Sequence, residues 1–123
     1  DAPESSVLCR HLGAQPVSQD GSEFRDDRLF NLMYRWHGDG NVRGTYCYKG
    51  KWEVIDNFVV SGRLLRKSSP LCLSSDGCRI FAAPFLLMEK DGGKEPFRTY
   101  NGMRYLGGFS DHLPLVARFS FSW

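Results

Sequence analysis

Residues 107–123 read GGFSDHLPLVARFSFSW, and they place a hydroxyl, a carboxylate and an imidazole in succession, Ser110-Asp111-His112, ahead of an alternating stretch. In that stretch Leu115, Ala117, Phe119 and Phe121 alternate with Val116, Arg118, Ser120 and Ser122, the period of a half-buried strand. A second stretch, VIDNFVVS at 54–61, sets a lone carboxylate, Asp56, among Val54, Ile55, Phe58, Val59 and Val60. A carboxylate in such company is partly buried and needs a partner. Histidine suits it: a carboxylate that accepts a proton from one ring nitrogen fixes the tautomer and leaves the other nitrogen for proton transfer. The chain has three histidines. His11 and His37 fall at the ends of expected helices, before Gly13 and Gly38, where an imidazole meets unpaired carbonyls and needs no further role. His112 stands at the mouth of a strand beside Asp111. Taken alone, the Asp-His dipeptide reads as a polar turn or as half of an active site, and both readings stay open at this point.

The elements that would carry these residues are legible in outline. DAPESSVLCRHLG predicts a short helix, with Pro3 and Glu4 in the first turn, Val7, Leu8 and Leu12 as its buried stripe and Gly13 as its stop. DDRLFNLMYRWHG, residues 26–38, predicts a second helix with apolar Leu29, Phe30, Leu32, Met33 and Trp36 facing the core. From Thr45 the pattern turns to strands, with Lys49-Gly50 joining a hairpin that leads into KWEVIDNFVVS. SGRLLRKSSPLCLSSDG is rich in turn residues, RIFAAPFLL is partly extended, and EKDGGKEP reads as a loop. RTYNGMRYLGG predicts a hairpin turning at Asn101-Gly102. Helices first and strands after make an α+β layout.

Composition limits the function classes. The chain has 123 residues, 41% of them hydrophobic and 14% aromatic, enough for one globular domain. No apolar stretch approaches the ~20 residues that cross a bilayer, and the first residues lack a signal architecture. The net charge of +2 does not announce nucleic acid. It is unevenly spread, at −3 over residues 1–40 and +5 over residues 41–123, which suits a phosphate-bearing ligand on the later part or is ordinary surface charge. Arg63, Arg66 and Lys67 read as a solvated run, and Trp52 and Tyr105 as aromatics that pack across hairpins. Cys9, Cys47, Cys72 and Cys78 contain no C-x-x-C pair, so the spacing argues against a zinc cage; Cys72 and Cys78 are either bridged or free.

IDNFVVS followed by GGFSDHLPL and a terminal strand resembles the endonuclease/exonuclease/phosphatase superfamily, the deoxyribonuclease-I-like fold. The longer stretches GTYCYKGKWEVIDNFVVSGRLL and PFRTYNGMRYLGGFSDHLPL extend the resemblance to a branch common in Bacteroides-type gut bacteria, over essentially the whole chain. The resemblance implies the C-terminal half of a β-sandwich with flanking helices, occupying residues 1–123 as a single domain or half-domain. It implies metal-dependent hydrolysis of a phosphate ester: nucleic acid, phospholipid or sugar phosphate. His112 would lie against the scissile phosphate, Asp56 would orient His112, and Asp111 would belong with a Mg²⁺ or Mn²⁺ site, directly or through water. Ser110 would be a structural start to the motif. Relatives of this branch are often periplasmic or secreted in Gram-negative bacteria.

The family also uses groups from an N-terminal half: an Asn and a Glu for the metal, a His, and an Asp-x-Asn pair preceded by Gly. Gly-Asp-x-Asn spacing occurs once, as Gly38-Asp39-Gly40-Asn41 in HGDGNV, but in a helix-ending, glycine-flanked loop unlike the family's buried strand end, so it does not read as the catalytic pair. Asp1-Ala2-Pro3 matches what commonly follows that motif, so the chain reads as a C-terminal fragment whose missing half supplies the rest. The expectations are negligible activity of the chain alone and self-association through exposed sheet edges. The competing class is a non-catalytic half-domain that binds a partner.

Overall fold

The structure, a computed structural model, describes residues 7–17, 24–34 and 42–122, and within them strands far outnumber helical turns. In chain order the elements are α1 (Val7–Arg10), β1 (Gln15–Pro16), β2 (Leu29–Asn31), β3 (Tyr46–Tyr48), β4 (Lys51–Glu53), β5 (Val59–Ser61), β6 (Leu71–Ile80), β7 (Leu87–Lys90), β8 (Gly93–Pro96), β9 (Tyr100–Asn101), β10 (Arg104–Tyr105) and β11 (Leu115–Phe121). Short 3₁₀ turns occupy Gly62–Leu65 and Pro84–Leu86. The residues sort into two compact units. One holds residues 1–36, 57–78 and 117–123, and the other holds 37–56 and 79–116.

In the first unit β2 is the middle strand of three, parallel to β1 and antiparallel to β5, with Phe30 opposite Val60. Ala14, Phe30, Met33 and Val60 are its buried apolar residues. The expected helix over 26–38 is corrected here: Asp26-Asp27 is a turn, Leu29–Asn31 is strand, Leu32–Tyr34 is turn, and residues 35–38, with His37 and HGDG, lie outside the described residues. The apolar spacing suits a helix, but strand partners on both sides claim the backbone groups of Leu29–Asn31, a tertiary demand that overrides propensity. Asn31 adds a local reason. Its side-chain oxygen accepts the Met33 amide at 2.9 Å, a turn-forming bond that competes with helix, while its Nδ2 donates to Asn57 at 2.8 Å.

The first helix is present over its described part and ends before Gly13, whose φ is +67°. Its expected stripe is not buried, since Val7 and Leu12 are exposed. Strand β6 runs antiphase to the turn-rich reading of LCLSSDG and pairs with β11, whose inward Leu115, Ala117 and Phe119 alternate with exposed neighbours; Phe121 is exposed. Cys72 and Cys78 stand six positions apart on β6, roughly 20 Å at ~3.3 Å per residue. A disulfide tolerates a Cα separation of only about 7 Å, so Cys72 and Cys78 are not bridged to each other and stand as free thiols.

The second unit is built from hairpins. β3 pairs with β4 through Lys49-Gly50, both with left-handed φ (50° and 78°), the type I′ turn that the sequence indicates. EKDGGKEP, expected as a loop, is a second such hairpin, β7 with β8, turning at Asp91-Gly92 (50° and 79°). An Asp-Gly pair is itself a type I′ signal, and the density of charged and flexible residues around it masks the strands. The third hairpin is one residue out of the expected register: Asn101 pairs with Arg104, so Gly102-Met103 forms the turn, with Gly102 at φ +60°. Thr45, Cys47, Glu95, Pro96 and Leu113 are buried in this unit, and β3 lies against β8.

Candidate functional site

Asp56 and His112 come together in the second unit. His112 Nδ1 is 2.7 Å from Asp56 Oδ2, and the two side chains are 39% and 38% exposed. An ionised carboxylate only accepts, so with Asp56 ionised the proton sits on Nδ1, which donates it to Oδ2. That leaves the lone pair on Nε2 of the partly exposed ring, where an incoming group could exchange a proton with it.

Several backbone contacts hold the pair. Thr45 is fully buried, and its hydroxyl oxygen accepts the amides of Ile55 and Asp56, each at 3.2 Å. The Thr45 carbonyl accepts the Leu113 amide at 2.7 Å, immediately after His112. One residue thus fixes the backbone beside both members of the pair. Gly44 precedes it because a Cβ there would stand 2.4 Å from the Glu53 carbonyl oxygen, across the β3–β4 hairpin. Tyr46, bridged to His112 through the backbone, sets its ring 5.1 Å from the imidazole, tilted by 44°.

The loop before His112 is tied down as well. Ser110 Oγ accepts the His112 amide at 3.0 Å, closing a small turn. The Phe109 amide donates to the Phe97 carbonyl at 2.8 Å, and the Thr99 hydroxyl lies 3.2 and 3.1 Å from the carbonyls of Gly108 and Phe109. Gly108 passes so close to Phe97 that a Cβ would meet its carbonyl oxygen at 2.1 Å. Asp111 is exposed beside His112.

Sequence reasoning singled out Asp56, Asp111 and His112, and the structure puts the first in contact with the last and the second on the adjacent loop position. It missed Thr45. A buried threonine that opens a strand-like run looks like any β-branched residue, and nothing short of the fold reveals that its hydroxyl serves a segment ten residues away.

The model of the Endonuclease/Exonuclease/phosphatase family matches residues 1–120. The chain belongs to that family, whose members act on phosphate esters and generally depend on a divalent metal. No curated protein and no solved structure matches the chain.

A family metal makes a demand that the described residues do not meet by themselves. Mg²⁺ is octahedral and takes oxygen ligands, often one or two carboxylates with the rest water and substrate. Among the described residues no three of His, Cys, Asp and Glu gather as a metal site, and Asp111 offers a single exposed carboxylate. Neither does a helix among them have the length and apolarity to cross a membrane.

Proposed function

We propose that the chain is the C-terminal half of a deoxyribonuclease-I-like phosphoesterase domain of the Bacteroides-type branch, and that it contributes the proton-handling part of a phosphate-ester hydrolase. The observation that supports this most directly is the 2.7 Å contact between His112 Nδ1 and Asp56 Oδ2, built from the two motifs that resemble the family. In this reading Asp56 holds the imidazole with its proton on Nδ1, and Nε2 faces the phosphate. It there receives a proton or, once protonated, sets positive charge against a phosphoryl oxygen. Asp111 would supply one carboxylate toward a Mg²⁺ or Mn²⁺ ion whose remaining ligands belong to an N-terminal half. Substrates of this chemistry include nucleic acid, phospholipid and sugar phosphate. Self-association through open sheet edges belongs to the same reading.

Groups that act as a unit lose nearly all their effect when divided. The 123-residue chain is therefore expected to hydrolyse bis(p-nitrophenyl) phosphate negligibly with Mg²⁺ or Mn²⁺. A metal-dependent turnover that disappears in His112→Ala would overturn that expectation.

The scarcity of gathered ligands among the described residues favours a second reading, a non-catalytic half-domain that binds a partner and keeps Ser110-Asp111-His112 as architecture. Paramagnetic broadening by Mn²⁺ separates the two. Broadening confined to the amides around Asp111 and His112 supports the hydrolase portion, and none there supports the binding module.

A further inference from the structure

The β3–β4 hairpin sets its residues in cross-strand pairs, Tyr46 opposite Glu53, Cys47 opposite Trp52 and Tyr48 opposite Lys51. Side chains alternate along each strand, so Tyr46, Tyr48, Lys51 and Glu53 share one face and Cys47 and Trp52 the other, where they line a groove. The first face is the one that meets the imidazole, because Tyr46 is bridged to His112 and sets its ring 5.1 Å away. Glu53, Tyr46 and His112 therefore stand in one row across three neighbouring segments, with Tyr48 and Lys51 in the next row.

Two cations on this face take no part in the Asp56–His112 contact, and both flank Tyr48. Lys49, in the turn, lies over the Tyr48 ring at 5.3 Å, and Lys51 is its cross-strand partner. Lys51 Nζ bends back to within 2.9 Å of Glu53, toward the row that holds His112. With side chains 79% and 45% exposed, that pair exchanges readily for another anion. One strand across and two residues along separate His112 from Tyr48, about 8 Å between backbones. The half-buried Tyr46 ring and the exposed Tyr48 ring form an uncharged floor over that distance.

A ligand with one phosphate at His112 has no use for these lysines. A ligand with a second phosphate at the right spacing meets both places at once, and its second contact is then effectively intramolecular. Two ammonium groups on flexible stems suit the charge of that second group. We propose that Lys49 and Lys51 are specificity-determining residues that hold a second phosphate of the substrate while the scissile one lies at His112. The inference rests on the hydrolase reading, and it concerns the number and spacing of charges on the substrate rather than its class.

The test is a set of ¹H–¹⁵N spectra of the 123-residue chain at low ionic strength, titrated with hexyl phosphate, hexamethylene glycol bisphosphate and ethylene glycol bisphosphate. Hexyl phosphate should shift the His112 signals. The six-carbon bisphosphate should bind about 5-fold more tightly, the worth of two exposed ion pairs, and should shift Tyr48 and Lys51 as well. The two-carbon bisphosphate is too short to span the face and should gain less than about 2-fold. Lys49→Gln with Lys51→Gln should erase the six-carbon gain and leave hexyl phosphate binding unchanged. Arg63→Gln with Lys67→Gln, exposed positions of the other unit, should keep the gain. Circular dichroism melts establish that each variant is folded; if the Lys49 and Lys51 variant is not, the dependence on linker length in the unaltered chain decides. If hexyl phosphate shifts His112 and the six-carbon bisphosphate binds no more tightly, or if its gain survives the loss of both lysines, the proposal is overturned and the hydrolase reading stands. If hexyl phosphate leaves His112 unmoved, the hydrolase reading fails and the proposal fails with it.

Discussion

The hydroxyl oxygen of Thr45 lies 3.2 Å from the amide nitrogen of Asp56, so a residue with no exposed surface controls where the carboxylate begins. Thr45→Val keeps the shape and removes the acceptor from the Ile55 and Asp56 amides. A loss of roughly 1–3 kcal/mol is expected, read as a lower urea midpoint at unchanged slope. Thr45→Ser retains the acceptor and should recover much of it. If Val and Ser behave alike, the hydroxyl is not what holds Asp56.

The Asp56–His112 bond makes a separate statement about protons. In the neutral imidazole the hydrogen should reside on Nδ1, and long-range ¹H–¹⁵N correlations of the wild type should show Nε2 unprotonated. Asp56→Ala should yield a mixture of tautomers. A wild-type spectrum dominated by the Nε2–H form would contradict the geometry.

Glycines 108 and 50 should respond differently to the same change. At Gly108 a Cβ meets the Phe97 carbonyl, so Gly108→Ala should cost about 3 kcal/mol or more and shift the amide signals of Ser110 and His112. At Gly50 the space is open and only the φ of +78° opposes a side chain, which sets the cost of Gly50→Ala near 1–2 kcal/mol. Thermal melts of the two variants decide the order.

Two thiols are held above their ordinary range. Burial pushes Cys47 up, with the nearby Glu95 carboxylate adding to it, and burial alone does so for Cys78. Both should resist iodoacetamide in the folded chain and react on unfolding. The unfolded thiols release protons first as pH rises, so stability present below about pH 8.5 declines above it until the folded thiols also ionise. Cys47→Ser should flatten that decline in denaturation midpoints measured across the alkaline range.

Legibility followed the locality of the forces. Lys49-Gly50 announced its hairpin because the turn chemistry is contained in two residues, and the alternation from Leu115 to Phe119 announced β11. Residues 29–31 misled because their side chains carry a helical period while β1 and β5 decide their backbone, information held elsewhere in the chain. Glu95 shows the same limit at Lys90: a carboxylate inside EKDGGKEP suggested a solvated loop, yet its side chain is 8% exposed and paired across a hairpin. For the site, Asp56 signalled its need for a partner through its apolar neighbours. Which histidine answered, and that Thr45 would brace both, depended on a tertiary arrangement.

Strand β3 is three residues long, and of its neighbouring positions Tyr46 sets its ring beside the imidazole on one side while Cys47 lines a groove with Trp52 on the other. Because side chains alternate, inserting one residue into the strand would exchange those surfaces, sending the thiol toward His112 and the tyrosine ring into the groove. Sequence drift in this hairpin is therefore restricted to whole-pair changes. A lineage can lengthen the Lys49-Gly50 tip by complete cross-strand pairs and keep both surfaces, whereas an odd insertion would cost it both together.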